Sequence, residues 1–246
     1  MLKIYKVKNY DEMSKKAATL IAAQVIANPE SVLGLATGST PVGTYEYLSK
    51  WYKESYLDID FSDVKVVNLD EYKGLPRDND QSYYYFMQHN LFKNINIKAE
   101  NTHIPNGLET DEVKACSEYE QIIKSLGGVD LQLLGIGGNG HIGFNEPSDV
   151  FIKNCHCIEL TEATIEANSR FFENKEDVPK KAYTMGVGNI MKASKILLLA
   201  SGKAKSNAIK QLLSGEITAK VPASVLQLHH NVTIIADEEA LSAVNI

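Results

Sequence analysis

Three polar clusters interrupt apolar stretches of this chain, and each carries side chains able to do chemistry. The first is Thr37-Gly38-Ser39-Thr40-Pro41. Gly38 lets the backbone approach a ligand, Ser39 and Thr40 supply hydroxyls, and a helix opening at Pro41 presents free N–H groups, a combination suited to a phosphate. Thr40 acting only as a helix cap is the alternative, and the loop lacks the lysine of a GxxxxGK[ST] motif. The second cluster is Asp70-Glu71-Tyr72, where a carboxylate facing a pocket can serve as a general base; an exposed acidic turn is the competing reading. The third runs from Gly137 to Pro147 and sets four glycines around His141, with Glu146 five residues beyond it. Imidazole moves protons near neutral pH, and a nearby carboxylate can fix its tautomer. Ordering so many glycines is costly, which favours catalysis over plain connection. Arg170, ending one helical stretch, can clamp a phosphate bidentately, and Lys205, opening another, adds a point charge. The GxGxxG-like run 135–140 lacks the context of a first βα unit, so a dinucleotide site is not expected.

These residues need elements to position them, and strand-like and helix-like stretches alternate along the chain. Strands are expected at Leu2–Val7, Ser31–Ala36, Val64–Leu69, Val129–Ile136, Cys155–Leu160, Tyr183–Val187, Lys195–Ala200 and Val232–Ala236. Helices are expected at Tyr10–Asn28, from Pro41, at Asp80–Asn94, Thr110–Leu126, Thr161–Phe172, and Lys203–Leu213, with a short one after Val187. Thr110 or Asp111 opens the fourth of these and Gly127-Gly128 closes it. Such alternation implies a parallel sheet covered on both faces. The expected fold is one doubly wound α/β domain over residues 1–246, a three-layer α/β/α arrangement. Ligands then bind beyond the C-terminal ends of the strands, where all three clusters fall.

Composition narrows the function classes. With 25 basic and 31 acidic residues the formal charge is −6, so neither nucleic acid nor an anionic membrane is an expected partner. No apolar run approaches the roughly 18 residues of a membrane span, and lysines break up the N-terminal MLKIYKVKNYDEM, which therefore does not read as a secretory signal. Cys116, Cys155 and Cys157 form no CxxC pair. Cys155-His156-Cys157 suggests a metal site, but the alternation fits a buried strand face better, and no second ligand pair follows. A cytoplasmic protein with reduced thiols is the expectation.

The segments LGLATGSTPVGTY (33–45), NLDEYKGLP (68–76), QSYYYFM (81–87), LLGIGGNGHIGFNEP (133–147), ANSRFF (167–172) and LQLHH (226–230) closely resemble glucosamine-6-phosphate deaminases. The resemblance implies conversion of glucosamine 6-phosphate and water to fructose 6-phosphate and ammonium in amino-sugar catabolism, with no metal or organic cofactor. It assigns Asp70 as the base that moves a proton between C2 and C1. It assigns His141 to ring opening, with Glu146 and Asn139 assisting. Gly38, Ser39, Thr40, Arg170 and Lys205 correspond to phosphate contacts.

Two departures stand out. Many family members carry aspartate where this chain has Asn139, which can hydrogen-bond the imidazole but leaves Glu146 to stabilise imidazolium by charge. Longer members are hexamers activated by N-acetylglucosamine 6-phosphate through basic residues after the FNEP loop and a tyrosine in a C-terminal extension. Here His156 and Ile158 take the basic positions and the chain ends at Ile246. A monomer or weak homo-oligomer without that activation is therefore expected. The rival readings are a 6-phosphogluconolactonase-like hydrolase of the same fold and a non-enzymatic sugar-phosphate sensor. Asp70 and the FNEP loop argue against the first; acidity and the absence of a basic helix-turn-helix ahead of the first strand argue against the second. The Gly137–Pro147 loop and residues 161–176 are candidate lids.

Overall fold

Long apolar runs arise here because strands are covered on both sides. Leu33, Leu35, Leu133, Leu197 and Leu199 enter one core, while Val32, Leu134, Ile196 and Leu198, from the same strands, enter another. Side chains alternate across a strand, so a strand buried on both faces has no polar side.

The computed structural model describes residues 2–169, 172 and 174–245. Its strands are β1 (Leu2–Val7), β2 (Val32–Leu35), β3 (Lys65–Asn68), β4 (Asp70–Tyr72), β5 (Thr102–His103), β6 (Leu131–Gly135), β7 (His156–Glu159), β8 (Lys181–Thr184), β9 (Lys195–Ala200) and β10 (Val232–Asp237). Seven of them form a parallel sheet in the order β1-β10-β9-β6-β2-β3-β5. From β2 the chain travels outward through β3 and β5, then returns to lay β6 on the other side of β2 and continue to β9 and β10. The loops leaving β2 and β6 thus flank the point where the winding reverses, which opens a crevice there.

The helices are α1 (Tyr10–Ala27), α2 (Val42–Lys53), α3 (Tyr83–Asn90), α4 (Glu112–Ser125), α5 (Glu162–Ser169), α6 (Val187–Ile190) and α7 (Ser206–Leu212). Helices α1, α2 and α3 pack into the core lined by Leu33 and Leu133; α4, α6 and α7 pack into the one lined by Val32 and Leu134. Asp111 caps α4, accepting from the N–H groups of Val113 and Lys114 at 3.0 Å each. The expected doubly wound α/β architecture is what the chain adopts.

One part of it differs. β4, β8 and β7 form a separate antiparallel sheet, with Asp70 opposite Thr184 and His156 opposite that same threonine. The alternation suggested that 155–160 and 183–187 continue the parallel sheet. In β7, His156-Cys-Ile-Glu159, no residue is fully buried, unlike the inner strands of the large sheet, whereas Ala182, Tyr183 and Thr184 of β8 are buried between β7 and β4. Cys155 and Cys157 are only half-buried, so the buried-face reading of them holds in part. Sequence reasoning also missed β5 and a 3₁₀ helix at Pro222–Leu228, and the strand expected at Tyr183–Val187 is Lys181–Thr184, with Val187 opening α6. Helix α3 is shorter than Asp80–Asn94, with a 3₁₀ turn at Phe92–Asn94, and a 3₁₀ turn at Lys203–Lys205 precedes α7.

Candidate active site

Leu69 places the second cluster. Its N–H donates to Leu35 O at 3.0 Å, continuing the parallel ladder, while its carbonyl accepts from Met185 N–H at 2.7 Å. The chain therefore passes from the large sheet to the small one at this residue, and Asp70 is delivered to the C-terminal end of β3. It is 6% exposed, in a wall rather than an exposed turn. Burial pushes the Asp70 carboxyl up to about 8, and the charge of Glu71 adds to the effect. Glu71 points the other way along the strand and accepts three backbone N–H groups, from Tyr72 at 2.8 Å and from Tyr83 and Tyr84 at 2.9 Å. Burial raises Glu71 as well, to about 7, against the pull of those donors. Hydrogen bonds to a charged group contribute roughly 1.5–3 kcal/mol each, so the three offset part, and not all, of a desolvation cost of several kcal/mol. Of the two carboxyls, Glu71 is the one gripped by backbone donors, and Asp70 is the one that retains its proton to higher pH.

The first cluster leaves β2 through Gly38, whose φ of +85° favours glycine. Thr40 does not cap α2: Pro41 stands at that position, and no side chain caps the helix. Tyr10 braces the loop instead, its hydroxyl donating to Ser39 O and accepting from Gly43 N–H, both at 2.9 Å.

The third cluster folds back on itself after β6, with Gly137 N–H donating to His141 O at 2.9 Å. A Cβ on Gly137 would stand 2.3–2.5 Å from atoms of the His141 ring, so the imidazole lies flush on bare backbone. Nδ1 of His141 faces Glu146 Oε1 at 3.3 Å, close enough for charge pairing although the angle falls short of a hydrogen bond. Glu146 also accepts from Asn139 Nδ2 at 2.8 Å and from Thr164 Oγ1 at 2.7 Å. Burial alone would raise the Glu146 carboxyl, but His141, Thr164 and Asn139 together hold it down at about 2. Asn139 thus reaches the carboxylate and, through Oδ1, the His141 backbone N–H at 3.2 Å, rather than the imidazole that sequence reasoning assigned to it.

All three clusters line one cavity of about 680 Å³, which contains Gly38, Ser39, Thr40, Asp70, Asn139 and His141. Lys205, half-buried, joins them from the turn before α7, and Glu146 stands behind His141 outside the lining. Arg170 lies outside the described residues. Tyr72, Tyr83, Phe144 and Phe172 form an aromatic flank, with Tyr83 and Phe144 parallel at 6.1 Å. Sequence reasoning missed Glu71 as an anchor and Thr164 as a ligand of Glu146. No local signal pointed to the latter, because Thr164 and Glu146 are eighteen residues apart.

The family model described as glucosamine-6-phosphate isomerases/6-phosphogluconolactonase matches residues 7–235. The chain belongs to this family. A glucosamine-6-phosphate deaminase of Clostridioides difficile (strain 630) is 57% identical over 244 residues, covering 99% of this chain and 97% of that protein. One from Thermoanaerobacter sp. (strain X514) is 57% identical over 243 residues, covering 99% and 95%. Among solved structures, a monomeric glucosamine-6-phosphate deaminase superposes with a TM-score of 0.95 at 45% identity, covering 98% of this chain and 99% of that one. A 6-phosphogluconolactonase from Leishmania guyanensis gives 0.79 at 20% identity over the whole of both chains, a likeness of fold. Both branches of the family name thus share this sheet, while the high identity lies with the deaminases. Among the described residues no helix is long and apolar enough to cross a membrane.

Proposed function

We propose that this chain is a glucosamine-6-phosphate deaminase, working as a monomer in the cytoplasm and converting glucosamine 6-phosphate and water to fructose 6-phosphate and ammonium. The observation that carries this reading is the buried Asp70 carboxyl in the wall of a cavity that also holds His141 and the 38–40 loop. The phosphate binds the hydroxyls and amides of residues 38–40 together with Lys205 and Arg170, and this remote grip holds the reacting carbons in place. The His141 imidazole takes the proton from the sugar's O1, Glu146 balances the imidazolium so formed, and that proton passes to the ring oxygen, which opens the pyranose. Asp70 as carboxylate then removes the proton at C2, acidified by the adjacent carbonyl, while O1 takes a proton from water to give an enolamine, and Asp70 delivers its proton to C1. The C2 amine becomes an imine, to which water adds before ammonium leaves. Every proton in these steps moves through a side chain of this chain or through water.

The test follows ammonium and fructose 6-phosphate together from purified protein and glucosamine 6-phosphate. Equimolar appearance of both, abolished in Asp70→Asn, is the expected outcome. Folded wild-type protein that releases no ammonium would overturn the reading, and hydrolysis of 6-phosphogluconolactone by the same preparation would place it in the other branch of the family.

A further inference from the structure

Glu71 has no part in the proposed proton transfers, yet it is the more firmly held carboxylate of the Asp70-Glu71 pair. It is 3% exposed. Two of its three donors, Tyr83 N–H and Tyr84 N–H, belong to the first turn of α3, and the next N–H, that of Tyr85, goes to the cap residue Ser82 at 3.0 Å. A negative charge suits a helix N-terminus, and here it satisfies donors the helix cannot satisfy itself. The segment so fastened is part of the cavity: Gln81, Ser82, Tyr83 and Phe86 line it, and Tyr83 lies parallel to Phe144 from the third cluster. One buried carboxylate therefore joins the strand that carries Asp70 to the aromatic wall beside it.

We propose that Glu71 is a positioning residue for the reaction: by clamping the first turn of α3 to the Asp70 strand, it sets the general base against the wall on which the sugar rests. The inference deepens the deaminase reading and rests on it. Its charge has a second effect, because Asp70 must ionise beside it. The charged and titratable groups facing Glu71 are Asp70 on its own strand, Arg77 from the loop before α3, and the Tyr83 hydroxyl on α3. Arg77 favours the Glu71 anion, and that anion resists the ionisation of Asp70.

Two variants separate the effects. Glu71→Gln keeps the size but loses the charge, and a single amide oxygen cannot serve three N–H groups. It should raise KM for glucosamine 6-phosphate on the order of tenfold and move the rise of kcat/KM with pH lower by about one pH unit. Glu71→Asp keeps the charge but shortens the reach, so KM should rise while the pH limb stays where the wild type has it. In both, the amide protons of Tyr83 and Tyr84 should exchange faster. A plain fold staple would lower the melting temperature and leave KM and the pH limb unchanged, and that result overturns the inference. If Glu71→Gln does not fold, an unchanged KM in Glu71→Asp overturns it alone. Wild-type protein that makes no ammonium would sink the deaminase reading instead. Amide exchange at residues 83 and 84 and the Asp70 carboxyl titration, read by ¹³C NMR, would then still decide the clamp, and wild-type values in the variants would reject it.

Discussion

Asp70 and Glu146 are both buried carboxyls and behave in opposite ways, because one faces a like charge and the other faces donors. The Asp70 carboxyl is pushed up by burial and by Glu71, so the folded protein takes up a proton relative to the unfolded chain between about pH 4 and about pH 8. Its contribution to stability is full below the unfolded value and is lost as pH rises through about 8. Asp70→Asn should therefore melt higher than wild type at about pH 9, with the gap narrowing at about pH 5. The same variant should lose activity on the order of 10²- to 10⁴-fold, the usual worth of a positioned base. Thermal melts at the two pH values beside the ammonium assay check both effects; a variant that is active, or never more stable, contradicts them. In the wild type, kcat/KM should climb as Asp70 ionises near pH 8. Glu146 is held down at about 2, so its contribution is present above its unfolded value and fades as pH falls toward 2. Glu146→Gln should accordingly cost stability at neutral pH, and less of it in acid.

At the scale of the elements, the site depends on two loops, one folded back on itself and one braced from α1. Gly137 gives His141 a surface without a Cβ, and the atoms a Cβ would meet are those of a side-chain ring rather than of backbone. Gly137→Ala should therefore spare the fold and displace the imidazole. A kcat loss on the order of a hundredfold with a nearly unchanged melting temperature is expected, and steady-state kinetics with a thermal melt would show it. Tyr10 sits at the start of α1, far in sequence from the loop it braces through Ser39 and Gly43. Tyr10→Phe removes one donor and one acceptor there and frees the loop proposed to hold phosphate. KM should rise about fivefold with kcat held, as befits a hydrogen bond worth roughly 1 kcal/mol; an unchanged KM would mean the loop is held well enough without it.

At the scale of the whole molecule, the proposal of a monomer is supported by the 45%-identical monomeric deaminase that covers nearly all of both chains. His156 and Ile158 lie on β7 of the small sheet, where the Nδ1 of His156 is 3.0 Å from Asn154 O. Light scattering should give a single species near 27.2 kDa. The rate should depend hyperbolically on glucosamine 6-phosphate and be unmoved by N-acetylglucosamine 6-phosphate. A sigmoidal curve that the acetylated sugar phosphate makes hyperbolic would refute the proposal.

How much of this could be read in advance depended on whether the cause was local. The apolar runs at 131–135 and 195–200 announce strands buried on both faces, Asp111 and Gly127 bound α4, and the glycines around His141 mark a loop with a purpose, since each of these rests on neighbours in sequence. The family resemblance in six segments placed Asp70, His141 and Glu146 together before any coordinates did. What stayed hidden depended on residues distant in sequence. The antiparallel pairing of β4 with β8 joins positions more than a hundred residues apart, and it sets the buried Asp70 opposite Thr184. The threefold grip on Glu71, the Thr164 hydroxyl on Glu146 and the Tyr10 brace are hydrogen bonds between side chains and atoms that only the folded chain brings within reach. Residue types and spacing determine which groups can react and which elements form. Their protonation and their aim are decided by desolvation and long-range contacts, quantities that exist only once the sheet and helices have packed.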